Sequence, residues 1–222
     1  MKILLLALMS VSLSSFLVTA QANVEGLTIP NSHQVDKEGN VFRGRQPEKK
    51  VDELAHIGIT NVIIFKNDVK GEVVKELAEL NRLGITSHHI PFRWKQYPSM
   101  QEACEQIIEA ITIIRDVKKV NGKTFLHCTA GEDRTGAVLG LYRMMSERMS
   151  MNQVFRGEMC PRGYSDGNSH KPKAVTDAIA AELTPLFVTL AGKVERGELK
   201  LNSLSKASCK NLVPVKTNLH CN

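Results

Sequence analysis

Ten consecutive residues, His127-Cys128-Thr129-Ala130-Gly131-Glu132-Asp133-Arg134-Thr135-Gly136, concentrate the reactive side chains of this chain. A cysteine stands six positions before an arginine, between the short apolar run Thr124–Leu126 and a stretch of helical character that begins at Thr135. At a helix start the unpaired backbone N–H groups point outward and the macrodipole is positive, so a loop wrapped there binds a tetrahedral oxyanion. The same field favours thiolate, and cysteines so placed titrate at roughly 3.5–7.5 rather than about 8.5. Arg134 adds a planar two-donor fork that lysine cannot reproduce, and Gly131 permits the tight backbone. The chemistry available is thiolate attack on a phosphoryl-like centre, with Arg134 on the equatorial oxygens of the transition state. The bland alternative is an inert buried cysteine beside a surface arginine. Spacing, flanking residues and the strand-loop-helix setting agree against it.

Such a loop needs a sheet to carry it. From Gly39 onward β-branched runs alternate with helical periodicity, the pattern of an α/β fold with a central, mostly parallel sheet flanked by helices. Residues Asn40 to Arg43 are expected as an edge strand, and Pro47 opens a short helix that Gly58 closes. Ile59–Phe65 is a buried strand; Val73, Leu77 and Leu80 form a helical stripe ended by Gly84, and Ile85–Ile90 is the next strand. Ser99 with Glu102 makes a capping box for a helix whose buried face carries Cys104, Ile107, Ile108, Ile111 and Ile114. Thr124–Leu126 leads into Cys128, and the helix after Thr135 is central and buried, with Gly136 and Gly140 packing closely on the sheet. Residues 161–170 form a loop and Lys173 to Val194 a long helix; the last twenty or so residues show no period.

The opening stretch stands apart. Lys2, an apolar run from Ile3 and Ala20-Gln21-Ala22 make residues 1–22 a signal peptide, so the mature chain begins near Asn23 and is exported, periplasmic or secreted. Ser10, Ser12, Ser14 and Ser15 interrupt that run, which is shorter than the ~20 apolar residues of a membrane span, and no later segment is expected to span. The remaining 23–222 read as one domain, with a core over about 40–200 and a polar tail. The 29 basic and 23 acidic side chains favour anionic partners without naming one, and no basic block with interleaved aromatics points to nucleic acid. Of five cysteines, two disulfides would leave one free thiol. Cys209 and Cys221 in the tail are the expected bridge, Cys104 a buried free thiol, and Cys160 is undecided.

The string H-C-T-A-G-E-D-R-T-G resembles the H-C-x-x-G-x-x-R-[ST]-G signature of the protein tyrosine phosphatase superfamily. Upstream, Val41-Phe42-Arg43-Gly44-Arg45-Gln46-Pro47 and residues 58–64 resemble the opening of its small dual-specificity-like members, so the likeness spans about residues 40–160. The resemblance implies that Cys128 forms a phosphocysteine, that Arg134 and the backbone of Thr129, Ala130, Gly131, Glu132 and Asp133 bind phosphate, that His127 orients the loop and that the Thr135 hydroxyl stabilises the departing sulfur. It implies no metal and no other cofactor.

Many members protonate the leaving oxygen with an Asp on a mobile loop, whereas the corresponding residues here, 91–98, contain no acid. Asp133 fills the role in a similar bacterial branch; Asp68, at the carboxyl end of a strand where α/β sheets place ligands, is the alternative. Lys66, Arg93 and Lys95, with Arg45 nearby, gather on the same rim. An exported, basic chain without a phosphotyrosine pocket looks most like the secreted cysteine phytases, which act on inositol hexakisphosphate; Glu132 stands where polyphosphate-directed relatives carry Lys. The expected partner is a small phosphomonoester. A dual-specificity, tyrosine or phosphoinositide phosphatase is the nearest alternative, and a phosphate-binding module without turnover the non-enzymatic one. Rhodanese-type sulfur transfer fits the Arg134-Thr135-Gly136 ending less well.

Overall fold

Two residue periods build the sheet and its covers. Along β3 (Asn61–Ile64) and β5 (Thr124–His127) successive side chains face opposite ways. Val62, Ile64 and Phe125 enter one apolar cluster, and Ile63 and Leu126 the other. The computed structural model describes residues 24–92 and 100–222. The expected leader, Ser99, Arg93 and Lys95 lie outside the described residues.

The five strands run in the order β1 (His33–Gln34), β2 (Val41–Gly44), β5, β3, β4 (Thr86–His89), and only β1 pairs antiparallel. Gly44, Ile64 and His127 stand in register, with His89 opposite Ile64. Four carboxyl ends therefore finish at one level, where α/β sheets present their sites. Helices α1 (Val51–His56) and α2 (Glu72–Arg82) cover one face through Leu54, Val73 and Leu80. Helix α3 (Met100–Lys119), α4 (Asp133–Glu147) and, behind them, α7 (Thr184–Glu195) cover the other. Each fully buried Leu, Ile or Phe here contributes roughly 1.5–3 kcal/mol.

Several expectations change. β2 is not an edge, because β1 pairs outside it; two residues are too short for a periodic signal. The first helix starts at Val51 and not at Pro47, which instead accepts a turn hydrogen bond from the Lys50 N–H. α4 is central, with every residue from Arg134 to Tyr142 buried. Gly140, however, packs away from the sheet, where a Cβ would lie 2.9 Å from Met159 Sδ and 3.0 Å from Phe187, while Gly136 lies nearest Tyr164 with Arg43 of β2 beside it. The helical run Lys173–Glu195, comprising α6 (Lys173–Ala178), a π turn and α7, is long and apolar enough to cross a membrane, contrary to the expectation that no later segment is. Half of that window is buried inside the protein, and Ile179, Leu183, Leu186, Phe187 and Leu190 are core residues.

The disulfides also differ. Cys104 bonds Cys209, and Cys160 bonds Cys221. Nearness in sequence suggested Cys209–Cys221, but the tail folds back: the turn Lys206–Cys209 packs on α3, while Cys221 reaches the segment after α5 (Met151–Val154). Cys104 is thus buried as expected but not free. Cys128 is the unpaired cysteine.

Candidate active site

The loop from Cys128 to Glu132 joins β5 to α4, and its carbonyls are all engaged, that of Glu132 also by the Gly136 N–H of α4 at 2.8 Å. His127 Nδ1 lies 3.1 Å from the Cys128 carbonyl, and the Gln46 N–H donates to the Thr129 carbonyl at 3.4 Å. Asn31 Nδ2 donates to the Ala130 and Gly131 carbonyls at 3.3 Å each. Arg43 Nη2 donates to the Gly131 carbonyl and, at 3.4 Å, to that of Glu132. With the carbonyls turned outward, the N–H groups of Thr129 to Arg134 donate to no backbone carbonyl among the described residues. No side chain caps α4. The result is an anion nest on a helix N-terminus. Gly131 has φ +72°, and a Cβ there would collide with the carbonyl of Gly44, so β2 and the loop meet backbone to backbone.

Arg43 is fully buried and pairs through Nη1 with Glu158 Oε1 at 2.8 Å. Glu158 also meets His33 at 3.1 Å and Arg143 at 3.2 Å. Burial pushes the Glu158 carboxyl up, but its bonds to His33 and Arg43 outweigh this and hold it at about 2. A buried cation in a strand is tolerated only when so paired.

Cys128 is 4% exposed. Burial pushes its thiol up; the Arg134 charge and the Thr135 hydroxyl outweigh it, leaving the group below its ordinary value and favouring thiolate. The buried Thr135 hydroxyl meets no strict hydrogen-bond geometry with any partner, and its polar neighbour is the sulfur. Arg134 Nη1 donates to the carbonyls of Phe65 at 2.6 Å and Phe92 at 3.0 Å, and Nη2 lies 3.4 Å from Thr129 Oγ1. Anchored by one nitrogen to the ends of two strands, the guanidinium keeps Nε and the rest of Nη2 for a ligand.

His127 is wholly buried, with Nε2 2.6 Å from Glu76 Oε1. The two atoms are close but off the line of a good hydrogen bond. Glu76 also accepts from Gln46 Nε2 at 3.0 Å, and Gln46 Oε1 accepts from Lys66 Nζ at 2.6 Å.

The two candidate acids part company. Asp133 Oδ1 accepts from the Ser165 N–H at 2.8 Å and from Lys171 Nζ at 2.6 Å. Burial raises its carboxyl above the ordinary range, and Lys171 opposes the rise without cancelling it. Asp68 is exposed and accepts from the Val73 N–H at 3.4 Å, serving the first turn of α2. Glu132 turns toward Lys171, 3.0 Å away, and Asn168 Nδ2, 2.9 Å away, so its charge is neutralised locally. Lys66 is at the rim but is paired with Glu72 at 2.9 Å; Arg45 is exposed, 3.7 Å from Glu48. Sequence reasoning missed Asn31, Arg43, Glu76, Glu158 and Lys171. Of these only Arg43, a charge between Phe42 and Gly44 in an apolar strand, carried a local signal.

Residues 41–157 match the family of the dual specificity phosphatase catalytic domain. No curated protein sequence matches the chain. Solved structures share the fold: Tk-PTP in its active form is 22% identical, with 68% of this chain and 95% of that one covered and a TM-score of 0.52. TpbA of P. aeruginosa is 18% identical over 78% and 98%, TM-score 0.53. The core catalytic domain of the PP-IP phosphatase SIW14 from S. cerevisiae is 19% identical over 68% and 84%, TM-score 0.50.

Proposed function

The chain belongs to the dual specificity phosphatase catalytic-domain family and is a cysteine-type phosphatase of the protein tyrosine phosphatase superfamily; from that premise we propose that it is an exported enzyme acting on inositol hexakisphosphate. Cys128 thiolate attacks phosphorus while the ester P–O bond breaks and Asp133 gives its proton to the departing oxygen. Water then attacks the phosphocysteine, returning its proton to the Asp133 carboxylate and releasing phosphate and thiolate. Arg134 and the loop N–H groups hold the equatorial oxygens through both steps. Two disulfides support export, since such bonds persist in oxidising compartments.

One observation carries the substrate reading. A cavity of about 600 Å³ shares Gln46 with the phosphate loop and is lined by Lys49, Lys66, Lys70 and Lys75. Its five carboxylates are each paired, Glu72 with Lys66 inside the cavity, and Glu76 with His127, Glu79 and Asp52 with Arg82, and Glu48 with Arg45. Lys49, Lys70 and Lys75 pair with no carboxylate among the described residues, and the undescribed residues include no Asp or Glu. Three lysines without a carboxylate partner, on a cavity that meets the loop through Gln46, suit a substrate carrying several phosphates.

The test is a panel of inositol hexakisphosphate, a phosphotyrosine peptide and an aryl phosphate. The hexakisphosphate should have the highest kcat/KM, with a KM that rises in Lys49→Ala, Lys70→Ala and Lys75→Ala while the KM of the aryl phosphate stays put. Phosphotyrosine hydrolysis exceeding it by a wide margin would overturn the substrate. Phosphate binding without turnover of any ester would leave only a binding module.

A further inference from the structure

Residues 163–171 lie against the first turn of α4 and bring Lys171 to the carboxylates of the phosphate loop. The Lys171 side chain is 6% exposed, and its ammonium donates to Asp133 Oδ1 at 2.6 Å and to the Gly163 carbonyl at 2.7 Å while pairing with Glu132 Oε2 at 3.0 Å. A buried ammonium is tolerated only when so satisfied. The Ser165 N–H joins it on the same oxygen, Asp133 Oδ1, at 2.8 Å. Ser165 adopts φ +49°, an uncommon conformation for a residue with a side chain, held by its surroundings. The Cys160–Cys221 disulfide and the bonds of Asp166 to the Cys221 and Asn222 N–H groups brace this segment.

Both donors converge on Oδ1, so that oxygen is an acceptor and cannot also carry the carboxyl proton. Oδ2 has no hydrogen-bond partner among the described residues and is not among the buried polar atoms left unpaired, so it keeps some contact with solvent. We propose that Lys171 is the positioning residue of the acid step, confining the transferable proton to Asp133 Oδ2 on the side open to the leaving oxygen. The proposal rests on the reading of Asp133 as the acid.

The charges facing Asp133 make the idea testable by pH. Lys171 approaches from the 163–171 segment, Glu132 from its own loop, and Cys128 and Arg134 from the nest; Arg43, behind Gly131, is paired with Glu158. Lys171 is the charge that opposes burial and Glu132 at this carboxyl. Removing it lets the carboxyl titrate higher, so the alkaline limb of kcat, where the acid loses its proton, moves to higher pH. At the optimum the proton is no longer confined to one oxygen, and turnover of a poor leaving group falls.

The experiment compares Lys171→Met and Lys171→Arg on an alkyl ester, inositol hexakisphosphate or a phosphoserine peptide if the former is not turned over, and on p-nitrophenyl phosphate. Lys171→Met should lower kcat on the alkyl ester by about tenfold, a fraction of a full general-acid effect, and move the alkaline limb up by about one pH unit. The aryl ester should change by less than about twofold, because its leaving group needs little protonation, and Lys171→Arg should restore limb and rate. Equal losses on both esters with an unmoved limb would overturn the proposal and reduce Lys171 to a brace. Should Lys171→Met fail to fold, Glu132→Gln combined with Lys171→Met removes a carboxylate with the cation; because Glu132 itself pushes the Asp133 carboxyl up, that variant is read by the alkyl-against-aryl split in kcat, equal losses again overturning the proposal. The parent reading fails separately: Asp133→Asn slowing both esters alike removes the acid itself, whatever Lys171 does.

Discussion

Arg43, a residue of strand β2, donates from Nη2 to the carbonyl of Gly131 in the phosphate loop, while its Nη1 is held by Glu158. A buried cation therefore shapes the proposed phosphate nest from behind, by holding the Gly131 carbonyl outward. Asn31 pulls the same carbonyl from a second direction.

Arg43→Lys should keep the pairing with Glu158 but lose the fork that serves both partners. We expect a folded protein whose inhibition by inorganic phosphate weakens about tenfold, as for one lost charge-assisted hydrogen bond. Arg43→Met should cost about 3–5 kcal/mol, read by denaturant unfolding, because it leaves a buried carboxylate short of a partner. Unchanged phosphate inhibition in Arg43→Lys would show that Asn31 alone suffices.

The Cys128 thiol lies below its ordinary value because Arg134 and Thr135 overcome burial. The pH profile of iodoacetamide inactivation should have its midpoint below that of an ordinary thiol, and Arg134→Ala and Thr135→Ala should each raise it. Phosphate should protect. Cys128→Ser should lose turnover and keep phosphate binding, since the N–H groups remain. Activity of Cys128→Ser above a few per cent of wild type contradicts the nucleophile assignment.

Asp133→Asn should slow an alkyl ester by ~10²–10⁴-fold and an aryl ester far less, the signature of a lost general acid. Asp68→Asn should do neither, because that side chain serves the start of α2. A selective loss in Asp68→Asn instead would exchange the two roles.

Glu158 links acid stability to the site. Its folded carboxyl is held at about 2, below the ordinary 4.5, so its contribution is complete above the unfolded value and is lost as pH falls from about 4.5 toward about 2. Stability measured over that window should fall more steeply in the wild type than in Glu158→Gln. Parallel curves would mean that the pairing with Arg43 and His33 adds nothing to folding.

The disulfides close segments of 105 and 61 residues, for which chain entropy gives about 4–5 kcal/mol each as a ceiling, with 2–4 typical. Reduction should therefore lower the unfolding midpoint. Cys160→Ser should also depress alkyl-ester turnover more than Cys104→Ser, since the Cys160–Cys221 bridge braces the segment that donates to Asp133. Equal effects of the two variants would separate the bridge from the acid.

Local patterns carried the proposed nucleophile, its arginine, the strand before them and the helix after them, because each depends on contacts within a few residues of Cys128. A β-branched run likewise made β3 legible, and period-3.6 apolar spacing α2 and α3. What spacing cannot encode is which distant elements converge. Strand order put β2 inside the sheet and so brought Arg43 under Gly131, 88 positions away. The fold of the tail paired Cys104 with Cys209 and Cys160 with Cys221, where nearness along the chain pointed elsewhere. Lys171 reaches Asp133 across 38 positions and Glu158 reaches Arg43 across 115, pairings that exist only once burial forces each charge to find its counterpart. The chemistry of the nucleophile was thus written locally, while the shape of its loop and the placement of the proposed acid's proton depend on charges that long-range packing alone brings together.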